Sequence, residues 1–360
     1  MPVRVLDYSA LTEPVSRTDV AAWRAQARAS GAPWASSTSS VGAVIIVVAV
    51  GVVFAFSFGG ALSAFVSEGI RAGNLIGVVF PAIIILVIAL AGFGALRSRL
   101  THGSRWEQWL RLSRFAGANR MTFTPMEGMP SYPGEIFHLG HDQRVLEHLV
   151  AGAAPDGSAI GGSFLDLGNY QYITGSGKNR TVHDWGFLAL ALDRAMPNIV
   201  LDAKANNSLF GSNLPVTLDK KQILHLEGDF DQHFTLYCPQ EYEQDALYIF
   251  TPDLMALLID EASPFDVELV DQWMFVYSKP FVMTDPAVLQ RLFTIADTVG
   301  AKALHQTEHY ADDRVGDPAA NIVAPQGARL KRGVSALAVV LIVGFVAFWG
   351  WSFFGGLLNQ

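Results

Sequence analysis

Five residues able to bind a metal or move a proton alternate along one short run: His225, Glu227, Asp229, Asp231 and His233. In an extended chain successive side chains point to opposite faces, so a period of two would place all five on one side. Imidazole and carboxylate together suit zinc or manganese, which makes Glu227, Asp229, Asp231 and His233 the candidate metal ligands. Gly228 and the aspartates at the centre argue more for a turn between flanking strands, with carboxylates capping backbone N–H groups.

Other chemistry-bearing patterns fall short of what their reactions require. Gly175-Ser-Gly-Lys-Asn179 suggests a phosphate loop. That motif, however, needs glycine where Tyr172 stands and Ser or Thr where Asn179 stands, so a hairpin turn fits better. The Gly-x-Ser-x-Gly elbow and the His-Glu-x-x-His zinc helix are missing from the sequence. His138, His141 and His148 match no standard metal spacing and read as surface histidines. Cys238 is the single cysteine, which excludes an intrachain disulfide, and its Phe-Thr-Leu-Tyr-Cys-Pro setting suits a small core residue. No catalytic or cofactor-binding residue is assigned on these grounds, the cofactor stays unknown, and the reading leans away from an enzyme.

The elements that would carry these groups are mostly strands. Residues 164–174 and 181–192 flank the polar, Gly-containing stretch 175–180 and predict a hairpin. Further strands are expected at 199–203, 222–226, 234–238, 265–269 and 273–277. One helix is predicted from Thr251-Pro252-Asp253, with Leu254, Leu257 and Leu258 on one face. A second starts at Asp285-Pro286, turns Val288, Leu289, Leu292, Ile295 and Ala296 inward and stops near Gly300. Sequential strands with few helices between them predict an α+β domain with a mostly antiparallel sheet.

This body is bracketed by charge-free apolar runs, each long enough for a bilayer crossing of about 20 residues. The expected fold class is therefore a membrane protein with three transmembrane α-helices and an α+β cytoplasmic domain. Its expected parts are a disordered N-terminal segment 1–40, spans 41–66, 74–96 and 333–358, an outer loop 67–73, a basic interfacial helix 97–120, a domain 121–307 and a flexible linker 308–332. In the interfacial helix, Trp106, Trp109, Leu110 and Leu112 gather on one arc suited to the headgroup layer. Arg and Lys cluster beside the spans on one side, which predicts a multi-pass bacterial plasma-membrane protein with its N-terminus and large domain cytoplasmic and its C-terminus outside. The spans carry no ionisable residue, which disfavours a pump or coupled transporter. Residues 121–328 hold 11 Lys and Arg against 28 Asp and Glu, a formal balance of −17, so nucleic acid is excluded as a partner. The expected partners are the lipid bilayer and a protein partner or second copy of the chain.

The stretch from Leu226 to Asp260, together with Tyr172-Ile-Thr-Gly-Ser-Gly-Lys-Asn179, resembles an uncharacterised family of bacterial, chiefly actinobacterial, three-span membrane proteins. The resemblance covers roughly the whole expected cytoplasmic domain. It implies a bacterial plasma membrane, implies no activity and carries over no catalytic residue. The functional expectation is a membrane-tethered cytoplasmic binding or scaffold module; the alternative is a metal-dependent enzyme with its acidic and histidine site around 225–233.

Overall fold

The computed structural model describes residues 5–36, 67, 104–128, 131–152, 164–207, 212–317, 320–333 and 344–346. The chain divides into two compact units, Met1–Thr12 with Leu112–Gln360 and, separately, Glu13–Arg111.

The smaller unit is organised by indoles. Its helix Arg17–Ala29 is capped by the Ser16 side chain, which accepts from the Asp19 N–H. Trp23 stacks on Trp34 at 5.5 Å, and Trp106 and Trp109 complete the group through edge contacts. Arg24 lies over the Trp106 ring. Within the segment expected to be disordered, Arg17–Ala29 is helical, and Trp106 and Trp109 of the expected interfacial helix pack edge-on with Trp23 and Trp34. Edge-to-face ring pairs stabilise such a cluster by about 0.5–1.5 kcal/mol each beyond burial.

The larger unit is a seven-stranded antiparallel sheet: β1 Thr122–Gly128, β2 His141–Ala151, β3 Leu165–Thr174, β4 Thr181–Ala203, β5 Ile223–Leu224, β6 Phe234–Tyr237 and β7 Asp266–Ser278. The expected hairpin is present, with Thr174 opposite Thr181. β4 is the spine, pairing β3 and then β6 along one edge and β7 along the other. Both β4 and β7 are irregular at the same place. Their register jumps between Ala191 and Met196 and again between Met196 and Ile199, where Pro197 offers no N–H, and Asp271 on the partner has φ 49°.

That irregularity exchanges the faces of the sheet. Before it, Leu188, Leu190 and Leu192 of β4 enter the main core; after it, Ile199, Leu201 and Ala203 do. An unbroken alternation would have sent the even positions 198, 200 and 202 into that core, whereas Asn198, Val200 and Asp202 lie on the opposite face.

The main core lies between the sheet and helices Pro252–Leu257, Pro286–Ile295 and Ala301–Thr307. Asp285 caps the second of these through the Ala287 N–H. Its predicted end at Gly300 does not occur, because Ala296–Gly300 is a π turn that leads into the next helix. Glycine serves close approach there: a Cβ on Gly300 would stand 2.5 Å from Leu190 Cδ1. The opposite face carries an aromatic cluster of Tyr132, Phe137, Tyr170, Phe187, Phe275 and Tyr277.

The expectation of three transmembrane helices is corrected. Among the described residues no helix is long and apolar enough to cross a membrane. The longest described helix, Arg105–Ala118 with 14 residues, rises about 21 Å at 1.5 Å per residue, short of a roughly 30 Å hydrocarbon core. Runs 41–66 and 74–96, and 333–358 apart from Gly333 and residues 344–346, lie outside the described residues. A multi-pass plasma-membrane localisation therefore has no described helix to support it and does not stand; what the chain shows is an α+β fold around an antiparallel sheet.

The predicted flexible linker is corrected too, because its residues form a strap sewn to the domain. Arg194 Nε donates to the Tyr310 carbonyl, and the Asn321 side chain joins the Asp193 carbonyl and the Ala195 N–H across the β4 irregularity. The Gln222 amide makes paired bonds to the Lys331 backbone, and the Asn198 N–H donates to the Gly327 carbonyl.

Candidate functional site

The alternating run 225–233 is a turn followed by one helical turn, not an extended strand. Gly228 has φ 76°, and Phe230–His233 is helical with the Phe230 ring buried. Asp231 accepts from His225 Nδ1 at 2.7 Å and from the Leu226 N–H at 3.3 Å, while Glu227 and Asp229 are exposed. Glu227, Asp229, Asp231 and His233 are not brought together: among the described residues no group of three His, Cys, Asp or Glu converges as a metal site.

Apart from Asp312, the buried carboxylates and the buried histidine among the described residues lie instead on the aromatic face of the sheet, in three places. The first is a chain across β1, β2 and β3. His148 uses Nδ1 on Glu127 and Nε2 on Asp166, and Asp166 also accepts from the Tyr132 hydroxyl. His148 is 6% exposed, so the surface reading of this histidine is wrong; His138 and His141, by contrast, are exposed. Burial would lower the His148 pKa, but the bonds to Asp166 and Glu127 outweigh it and raise it to about 9. Burial, together with the Asp166 charge, pushes the Tyr132 hydroxyl well above its ordinary value.

The second place is Glu268 on β7. Its Oε1 accepts from Asn198 Nδ2 at 3.1 Å, and its Oε2 accepts from the Tyr277 hydroxyl at 2.9 Å and the Glu135 N–H at 3.0 Å. Burial raises its pKa to about 7 despite these donors. Glu268 and Tyr277 border a small cavity that is otherwise lined mainly by apolar groups such as Val200, Leu214 and Val216.

The third place is less satisfied. The register Leu201 to Val267 sets Asp202 of β4 opposite Asp266 of β7 on one face. They are 3% and 0% exposed. Asp266 Oδ1 accepts from the Ala203 N–H at 2.9 Å. The Asn206 and Asn213 side chains interact with Asp266, and those of Ser212 and Asn207 with Asp202, each favouring the charged carboxylate. Even so, Asp202 Oδ1, Asp266 Oδ2, both amide atoms of Asn206 and Asn213 Oδ1 lack a hydrogen-bond partner among the described residues. Burial raises the Asp266 pKa to about 7 and raises that of Asp202 as well.

Cys238 sits in the core at the end of β6, and burial lifts its thiol pKa to about 12. The thiolate is the reactive form, so burial disfavours nucleophilic reactivity of this thiol at neutral pH. The native chain is expected to resist a thiol reagent at pH 8 and to react stoichiometrically once unfolded; rapid native labelling would refute this.

None of the three places was visible as a motif. Asp202 and Asp266 lie far apart in the chain and meet only through the β4–β7 register. Tyr132, His148 and Asp166 depend on β2–β3 pairing, and the one local signal was the period-two polarity of the strands themselves.

No protein-family model matches the chain, and no curated protein matches it. Among solved structures, the crystal structure of the mycobacterial trehalose monomycolate transport factor A overlaps 52% of this chain and 93% of its own, at 8% identity and a TM-score of 0.32, a likeness too slight to carry any argument about this chain.

Proposed function

We propose that this chain is a non-catalytic binding module whose ligand site is the buried, opposed pair Asp202 and Asp266, and that it takes an electropositive group. One observation carries the reading. Among the described residues, five of the eight buried side-chain polar atoms without a hydrogen-bond partner belong to Asp202, Asp266, Asn206 and Asn213. Buried polar groups are almost always satisfied, and an unpaired one costs about 1–3 kcal/mol, so a concentration of open acceptors marks a place completed by something bound. The other buried acids differ: Glu268, Asp166 and Asp312 are already held by donors.

A thermal-shift panel on the full-length chain tests this. Calcium, magnesium, manganese, methylammonium and ethylguanidinium chlorides are compared with sodium chloride at matched ionic strength. At least one probe is expected to raise the unfolding temperature of the parent chain and not of Asp266→Asn. Equal response of parent and variant to every probe would remove the reading.

A further inference from the structure

Resting on that binding reading, we infer that the group held between β4 and β7 is a single divalent cation of the calcium type, ligated by Asp202 and Asp266 with the side-chain oxygens of Asn206 and Asn213. The donor set is entirely oxygen. Hard divalent ions take such sets, and calcium in particular accepts carboxylate, amide carbonyl and water together. Zinc and copper favour imidazole or thiolate, and no such ligand belongs to this set. The orphaned atoms agree, because four of the five are oxygens: one on each aspartate and one on each asparagine.

Charge balance separates a metal ion from an organic ammonium. Two opposed carboxylates inside the protein carry two negative charges when ionised, and like charges directly opposite across strands are destabilising. A monovalent group leaves one of them uncompensated, whereas a divalent ion cancels both. The chain's own nearby ammonium is used elsewhere: Lys204 is close enough to influence Asp202, but its Nζ donates to the Asp231 carbonyl. The scaffold also suits an ion needing several ligands. The carboxylates come from two adjoining strands, while the amides come from the connection that follows β4, so rigid and adaptable donors meet.

The test uses full-length chain stripped with chelator, then calorimetric titration and equilibrium dialysis with calcium chloride. One calcium per chain is expected, with a Kd of roughly 10⁻⁵ to 10⁻³ M, the range of sites with few charged ligands. Asp202→Asn and Asp266→Asn should each weaken binding by at least about 30-fold, whereas Asp231→Asn, in the 225–233 turn, should leave it unchanged. Terbium provides a measurement that needs no variant: its emission, sensitised through nearby Tyr237 and Tyr277, should appear on binding and fall as calcium displaces it. Folded parent chain that takes up no calcium at about 5 mM, or calcium binding unaffected by both aspartate changes, overturns the inference. If methylammonium or ethylguanidinium stabilises the chain through Asp266 while calcium does not, the ion is wrong and the binding module stands. Silence from every probe brings both down.

Discussion

Replacing His148 with alanine is expected to reduce the unfolding free energy by about 3–5 kcal/mol, because it leaves one carboxylate buried without its partner. Asp166 is only 2% exposed, and once the imidazole is gone the Tyr132 hydroxyl is the remaining side-chain donor on it. Urea unfolding followed by tryptophan fluorescence measures the change, and a midpoint equal to that of the parent would count against the network. The pH dependence gives a second reading. The folded His148 pKa, about 9, lies above its ordinary 6.5, so its stabilising contribution is complete below about 6.5. It is then lost as pH rises through 9. Glu127 works in the opposite direction: its bond to His148 lowers its pKa, so its share is present above the ordinary 4.5 and disappears as pH falls through the depressed value. The parent should therefore lose stability between pH 6.5 and 9 more steeply than His148→Ala, which keeps only the shallower slope that the raised Asp266 and Glu268 impose near 7.

Arg314→Ala should be the second most damaging change, costing about 2–4 kcal/mol. The guanidinium lies 3.8 Å from the Tyr242 ring centre and bonds Asp245 Oδ2 at 3.1 Å and Asp312 Oδ1 at 3.2 Å. A further N–H donates to the Glu241 carbonyl. Asp312 in turn accepts from the Tyr242 hydroxyl at 2.6 Å and the Ala324 N–H at 2.9 Å, which ties two points of the strap and the domain's Tyr242 to one buried carboxylate. Against the effect of burial, these donors hold the Asp312 pKa below its usual value, so this contribution exists above about 3.8 and is lost in acid. Lysine should not rescue the variant, because an ammonium cannot stack on Tyr242 and reach two carboxylates in one plane. Limited thermolysin digestion should cut within residues 308–326 at least tenfold faster in the variant. Unchanged cleavage with an unchanged unfolding midpoint would show that the strap does not depend on Arg314.

The parts of this fold that could be read from sequence are those whose signal is local. Gly175 to Arg180 separates two β-rich runs, and Asp285-Pro286 carries its own cap. Both features formed where expected because no distant residue was needed. β7 was read as two strands because Asp271-Gln272 interrupts its apolar alternation; in the structure that interruption is the irregularity that exchanges faces. The metal reading of 225–233 assumed an extended backbone, which Gly228 and the buried Phe230 prevent. The strap looked like a tether because Asp, Pro and Gly dominate its composition. Its order comes from Asp312, Arg314 and Asn321, each of which finds its partner on another element. Asp202 and Asp266 were the least legible of all, since no spacing rule predicts that a bulge will turn position 202 away from the main core.

The pairing of β4 with β7 also decides when the molecule can finish assembling. Sixty-six residues separate Leu201 from Val267 and ninety-two separate Gly186 from Ser278, against seven across the β3–β4 turn. At ribosomal speeds of about 5–20 residues per second, the nascent chain holds β4 with one edge open for roughly 3 to 20 seconds before its last neighbour emerges. Throughout that interval Phe187, Leu188 and Leu190 lie beside unsatisfied backbone groups, the arrangement most prone to pairing with another polypeptide. Synthesis, rather than the finished molecule, is thus the vulnerable stage, and conditions that slow elongation between 203 and 266 should divert the product into inclusion bodies.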